Sequence, residues 1–266
     1  MSKLVPALKR NLRWVPNTLT LCNSWCGFAA ILWTLTAYER ANDTFTVLAQ
    51  SAFIILFAMV FDVLDGFSAR LLDAQSLHGI QMDSLSDMVT FGVAPAVLMA
   101  VLTHTLQGPQ TTMQVWVTFI LSALYVGGAA LRLATYNVHA LEEHKSSNTF
   151  HGLPSPGAAA AICSLVLVMK VYNESLERLA AILPIYAAVL GALMISPLPY
   201  LHLGKWLLSM HNNQPVKILI LVLLLIAVAV FRTNAVFAGI TLYVLSGPAV
   251  AIANLIRYGT LGGKKE

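Results

Sequence analysis

Long apolar runs, each close to the ~20 residues a helix needs to cross the hydrocarbon of a bilayer, alternate with short polar breaks along the chain. The runs predict eight spanning helices at about 17–38, 46–72, 82–105, 113–137, 155–172, 179–197, 216–232 and 235–257. The longest polar stretches between them are 138–152 and 198–215. Residues 1–15 are different. They mix Leu4, Val5, Leu8, Leu12 and Trp14 with Lys3, Lys9, Arg10 and Arg13, a pattern that predicts a short helix lying in the interface beside anionic headgroups. No internal repeat, low-complexity tract or soluble second domain is visible. The fold class expected is an all-α polytopic membrane protein.

Composition supports this reading. The 266 residues are 58% hydrophobic and 11% charged, against roughly 25% charged in soluble domains. The mean hydropathy is +0.73. No cleavable leader pattern precedes the first span. Basic residues set the expected orientation. With the N-terminus in the cytoplasm, Lys3, Lys9, Arg10, Arg13, Arg70, Arg132, Lys145, Lys205, Lys217, Arg257, Lys264 and Lys265 fall on the cytoplasmic side, leaving Arg40, Lys170, Arg178 and Arg232 outside, 12 against 4 of the 16. Both termini are then cytoplasmic, in the cell (inner) membrane. The net charge of +4 fits basic membrane edges. Without a basic stripe interleaved with aromatics, no nucleic-acid partner is expected. Cys22, Cys26 and Cys163 read as small buried apolar residues rather than ligands or a disulfide.

Against this background five of the 12 acidic residues crowd into residues 62–87, four of them, Asp62, Asp65, Asp83 and Asp87, in a fixed pattern. An ionised carboxylate within a span costs on the order of 3 kcal/mol even on permissive scales, so the cluster calls for a cation. Asp62 and Asp65 are spaced i, i+3, and Asp83 and Asp87 i, i+4, so each pair lies on one face of its helix. The turn between, with Ser76 and Gly79, lets the helices run antiparallel with the carboxylates facing each other. Arg70 alone does not neutralise four negative charges. Hard divalent cations with oxygen ligands do, which predicts one or two Mg²⁺ or Mn²⁺ ions. Gly66 and Ala69 share the face of Asp62 and Asp65 and clear space for a bulky ligand, toward which Arg70 brings a guanidinium suited to phosphate. Asp73 reads as a solvated aspartate.

The pattern D-x2-D-G-x2-A-R-x8-G-x3-D-x3-D, filled here at every specified position, resembles the signature of the CDP-alcohol phosphatidyltransferases. The resemblance implies a six-helix transmembrane core, usually a homodimer, with the active site open to the cytoplasm. It implies two divalent ions held by Asp62, Asp65, Asp83 and Asp87, with Asp87 also the general base. Gly66, Arg70 and Ser76 would contact the CDP moiety, as would the neighbouring Ala69 and Gly79. Pro16-Asn17-Thr18-Leu19-Thr20 resembles the family's segment near the nucleotide, which brings in Asn17 and Thr20. The core is then 16–197, with 198–266 a cytoplasmic loop and two additional helices.

Three further stretches resemble the phosphatidylserine synthase branch of the family: Asp83-Ser-Leu-Ser-Asp87-Met-Val-Thr-Phe91-Gly92-Val-Ala-Pro95-Ala96, Leu131-Arg132-Leu-Ala-Thr-Tyr136-Asn137 and Phe150-His-Gly152-Leu153-Pro154-Ser155-Pro156. The implied substrates are CDP-diacylglycerol and L-serine, in a lipid membrane. Arg132, inside a span, is a site candidate by default and suits a serine carboxylate in bidentate fashion or a lipid phosphate. Asn137 is a second candidate for the acceptor. His139, His144 and His151 are too loosely spaced for a metal site. Choline, glycerol 3-phosphate and inositol derivatives stay open as acceptors. An ion transporter is the reading from another class, disfavoured because transporter sites lie near the midplane, often within repeats.

Overall fold

Pro16 opens the first helix, where its missing N–H is one that would go unpaired anyway. A computed structural model describes residues 14–39, 43–72, 74, 76–108, 110–141, 152–172, 182–200 and 214–258, with 139–141, 214–232 and 258 described as backbone alone. The elements are α1 (Val15–Leu35), α2 (Thr44–Leu71), α3 (Leu77–Asp87), a π-helical turn (Met88–Val93), α4 (Ala94–Gln107), α5 (Thr112–Leu141), α6 (Ser155–Val171), α7 (Leu183–Ile195) and α8 (Gln214–Tyr258). Among the described residues, five segments are long and apolar enough to span a bilayer: Val15–Tyr38, Thr44–Leu71, Leu77–Gln107, Thr112–Val138 and Thr233–Arg257. Shorter apolar helices cover Ser155–Val171 and Leu183–Ile195. The protein is an all-α integral membrane protein.

Two expectations need correction. The predicted spans 216–232 and 235–257 form one continuous 45-residue helix, α8. Polar Arg232, Thr233 and Asn234 suggested a break, but none of them is a helix breaker like glycine or proline. The cysteines are free, and only Cys163 is fully buried, whereas Cys22 and Cys26 are half-exposed. The interfacial segment 1–15 (except Trp14 and Val15), Asp73, His144, His151 and most of the loop 198–215 lie outside the described residues.

Helix α1 is the spine of the aspartate-bearing end. It packs extensively along α2 and along α3, while α2 and α3 scarcely touch each other. The α1–α2 pair is antiparallel, with Trp33 Nε1 donating to Gln50 Oε1 at 2.9 Å at one end and Thr20 meeting Asp65 at the other. Close approach of α1 to the π turn requires Gly27, because a Cβ there would overlap Thr90. Gly128 and Gly191 likewise bring α5 and α7 backbone to backbone, the small-residue crossing common in membranes.

The π turn has a local cause. Pro95 has no N–H to give the carbonyl of Phe91, four residues earlier. The hydroxyl of fully buried Tyr125, on α5, donates to that carbonyl instead at 2.8 Å. Replacing Tyr125 by Phe strands a buried acceptor, and an unmet one costs about 1–3 kcal/mol. Thermal unfolding in detergent should show that loss, and an unshifted midpoint would refute this account. The same device recurs on α8. Pro248 leaves the Val244 carbonyl without its helical donor, and Tyr200 Oη donates to it at 3.0 Å.

Candidate active site

Asp62 and Asp65 come from the last turns of α2, and Asp83 and Asp87 from α3. Ser76 caps α3, its Oγ accepting from Gly79 N at 3.0 Å, which fixes where α3 starts and so where its aspartates point. One carboxylate oxygen each from Asp62, Asp83 and Asp87 lie within 4.8 Å of one another. Asp62 and Asp87 are within hydrogen-bonding reach of each other. Two carboxylates so close need a proton or a cation between them. Asp65 stands beside the three, near enough to interact electrostatically with Asp83 and Asp87, but its Oδ2 accepts from Thr20 Oγ1 at 2.7 Å.

The spine helix supplies the partners. Thr20 is committed to Asp65 and to the Pro16 carbonyl, so here it buttresses a carboxylate. Asn23, fully buried on the next turn, donates from Nδ2 to Asp87 Oδ1 at 3.2 Å. Sequence reasoning missed Asn23. The available signal was a second amide-bearing residue inside an apolar span, three residues after Thr20, where such a group is expensive unless it has work to do. Ser86 Oγ donates to the Thr20 carbonyl at 2.9 Å and Thr90 Oγ1 to that of Asn23 at 3.0 Å. These two bonds lock the register of α3 and the π turn on α1.

The donor set fits a hard divalent cation. Every candidate donor atom is an oxygen, and the buried Asp83 Oδ1 and Asn23 Oδ1 have no hydrogen-bond partner among the described residues. Orphaned buried acceptors beside clustered carboxylates are what an oxygen-coordinated ion would satisfy.

Gly66 marks the open side. A Cβ at Gly66 would have no heavy atom within 4 Å, so helix packing does not explain the glycine, whereas clearance for a ligand does. Ala69 is half-buried and Arg70 exposed on the following turn. Asn17 and Gly79 face each other across the α1–α3 seam, with 3.7 Å between Asn17 Oδ1 and the Cβ position of Gly79. On α5, Asn137 Oδ1 accepts from Ser84 Oγ at 2.8 Å. Arg132 is half-buried, and no ion pair pairs it with a carboxylate among the described residues. His139 is described as backbone alone.

Residues 13–195 match the sequence model of the CDP-alcohol phosphatidyltransferase family. The chain belongs to that family. A Saccharomyces cerevisiae protein named CDP-diacylglycerol–serine O-phosphatidyltransferase is 36% identical over 169 residues, covering 62% of this chain and 57% of the relative. Proteins of the same name are 29% identical over 195 residues in Mycobacterium tuberculosis (71% and 61% covered) and 29% identical over 238 residues in Helicobacter pylori (87% and 88%). The chain thus spans 57–61% of the yeast and mycobacterial relatives' length.

Proposed function

We propose that this protein transfers the phosphatidyl group of CDP-diacylglycerol to the hydroxyl of L-serine, giving phosphatidylserine and CMP. The observation that carries the proposal is the convergence of Asp62, Asp83 and Asp87 oxygens within 4.8 Å beside the open face of Gly66. The relatives' shared name supports serine as the acceptor. Asp62, Asp65, Asp83 and Asp87 hold two Mg²⁺ or Mn²⁺ ions. When bound, these supply charge stabilisation at the diphosphate and the departing CMP.

The chain's own groups do the rest. Gly66 and Ala69 leave room for the nucleotide. Arg70, Asn17, Ser76 and Gly79 border it, and Arg70 offers a cation to the phosphates. Asn23 holds Asp87 by one oxygen, which directs the other toward the acceptor. Asp87 accepts the serine hydroxyl proton as the serine oxygen bonds to the phosphorus bearing diacylglycerol and the bond to CMP breaks in line. Arg132 receives the serine carboxylate, and Asn137, held by Ser84 further along the same helix, helps position the acceptor. The active site opens to the cytoplasm, both termini lie there, the host is the inner membrane, and the unit is a homodimer of a 16–197 core.

The test is CMP release by purified protein in detergent with CDP-diacylglycerol, Mn²⁺ or Mg²⁺, and a panel of L-serine, choline, glycerol 3-phosphate, inositol and inositol phosphate. Serine-dependent release abolished by chelator is expected. Release with another acceptor alone would overturn the serine assignment, and release with none would overturn the reaction.

A further inference from the structure

Three buried side-chain atoms lack a hydrogen-bond partner among the described residues: Ser122 Oγ on α5, and two at the aspartate site, Asn23 Oδ1 and Asp83 Oδ1. Asn23 is fully buried on α1. Its backbone is pinned there. Thr90 Oγ1 donates to its carbonyl at 3.0 Å, and a Cβ on Gly27, one turn further along, would overlap Thr90. One end of the Asn23 amide is committed to Asp87, with Nδ2 at 3.2 Å from Oδ1. The other end shares a carbon with Nδ2, so by bond lengths it too stands within about 6 Å of Asp87 Oδ1. Asp87 in turn offers an oxygen within 4.8 Å of one from Asp62 and one from Asp83.

Thr20, one turn earlier on α1, shows what a purely supporting residue looks like. Its single side-chain oxygen serves Asp65 Oδ2 at 2.7 Å and the Pro16 carbonyl at 3.0 Å, and nothing is left unmet. A hydroxyl at position 23 could hold Asp87 in the same way. Asn23 instead carries a second polar atom, a carbonyl oxygen, into a fully buried place and leaves it without a donor, which is costly. Solvent does not satisfy that oxygen, because it is closed to water. A divalent ion fits where water does not. It binds oxygen at about 2.1 Å, against about 2.8 Å for a hydrogen-bonded water. The charge balance points the same way. Another carboxylate would add a like charge to a site already crowded with aspartates, whereas an amide adds a ligand without one, and carbonyl oxygens suit Mg²⁺ and Mn²⁺.

We infer that Asn23 is a ligand of the divalent cation held by Asp62, Asp83 and Asp87, its amide joined to Asp87 through Nδ2 and to the ion through Oδ1. This rests on the reading of the cluster as a Mg²⁺ or Mn²⁺ site. Helix α1 then contributes to the metal centre itself and not only to the posture of its carboxylates. One planar group sets where Asp87 stands relative to the ion.

The experiment uses Mn²⁺ alone as the probe, with no substrate present. Purified protein in detergent is labelled with ¹³C-asparagine, and electron–nuclear double resonance on the bound Mn²⁺ reads whether an asparagine carbonyl is bonded to the ion. A through-bond ¹³C coupling is expected in the parent. It should vanish in Asn23→Leu, whose Mn²⁺ dissociation constant should rise at least about tenfold. Asn23→Asp keeps an oxygen but loses the donor to Asp87. It should bind Mn²⁺ at least as tightly as the parent, again without the ¹³C coupling. Bound Mn²⁺ that shows no asparagine coupling overturns the inference, as does a coupling that survives in either variant, since it then comes from another asparagine. Should Asn23→Leu not fold, Asn23→Asp decides. Mn²⁺ binding weakened about tenfold or more there makes Asn23 a donor to Asp87 alone and overturns the ligand role. A parent protein that binds no Mn²⁺ overturns the metal reading together with the inference, whereas bound Mn²⁺ without the coupling removes the inference alone.

Discussion

Asp87→Asn should reduce acceptor-dependent CMP release by at least ~1000-fold, within the range that removal of a general base produces, while the protein keeps its fold. Asp87 is only 8% exposed and sits where α3 gives way to the π turn. Asparagine has nearly the same shape, and its amide oxygen can still accept from Asn23 Nδ2. What it cannot do is take a proton or contribute a negative charge to the cluster. The cluster crowds carboxylates together at a cost to the apo fold. Removing one charge therefore leaves thermal stability in metal-free buffer equal or higher. The two readouts together, CMP release and unfolding in detergent, separate a chemical role from a structural one. Activity within tenfold of the parent would sink the assignment of Asp87 as the base. Loss of activity with a large fall in unfolding temperature would make Asp87 a structural residue.

Gly66→Leu should be the converse case, a variant at least as stable as the parent and nearly inactive. Nothing lies within 4 Å of a Cβ at Gly66, so the new side chain meets no protein atom at its root. Inside α2 the exchange gains about 0.5–1 kcal/mol of helix propensity. The leucine would fill the space beside Asp62 and Asp65 that the nucleotide needs. Turnover below about 1% of the parent is expected, with tenfold or greater weakening of CDP-diacylglycerol binding, the size of effect that one misplaced contact at a reacting centre produces. The checks are a substrate titration and a melting curve. Parent-like turnover would show that the open face of Gly66 is not where the nucleotide lies.

The elements that were legible in the sequence were those written as long runs or fixed spacings. The first four spans and the aspartate spacings on α2 and α3 follow from hydrophobic length and from the 3.6-residue period. The role of α1 was not legible, because it depends on three helices meeting. Asp65 and Asp87 reach each other's neighbourhood through Thr20 and Asn23, not through direct packing of α2 on α3, and an antiparallel α2–α3 pair was the simpler expectation. The continuity of α8 was hidden by Arg232, Thr233 and Asn234, which look like a break by polarity although none is a helix breaker.

The π turn between Asp87 and Ala94 has a consequence for the chain's history as well as its shape. It holds one residue more than an α-helix needs over the same path, and each residue turns a helix by about 100°. The face that presents Asp83 and Asp87 to α1 is thus set in rotation by that surplus residue relative to the face that α4 buries in the core. Any lineage that lost a single residue between Val89 and Val93 would turn its two aspartates away from Asn23 and Asp62. Insertions and deletions are therefore tolerable in the loops of this protein but not in these few positions, where the length of the sequence, more than its composition, keeps the site assembled.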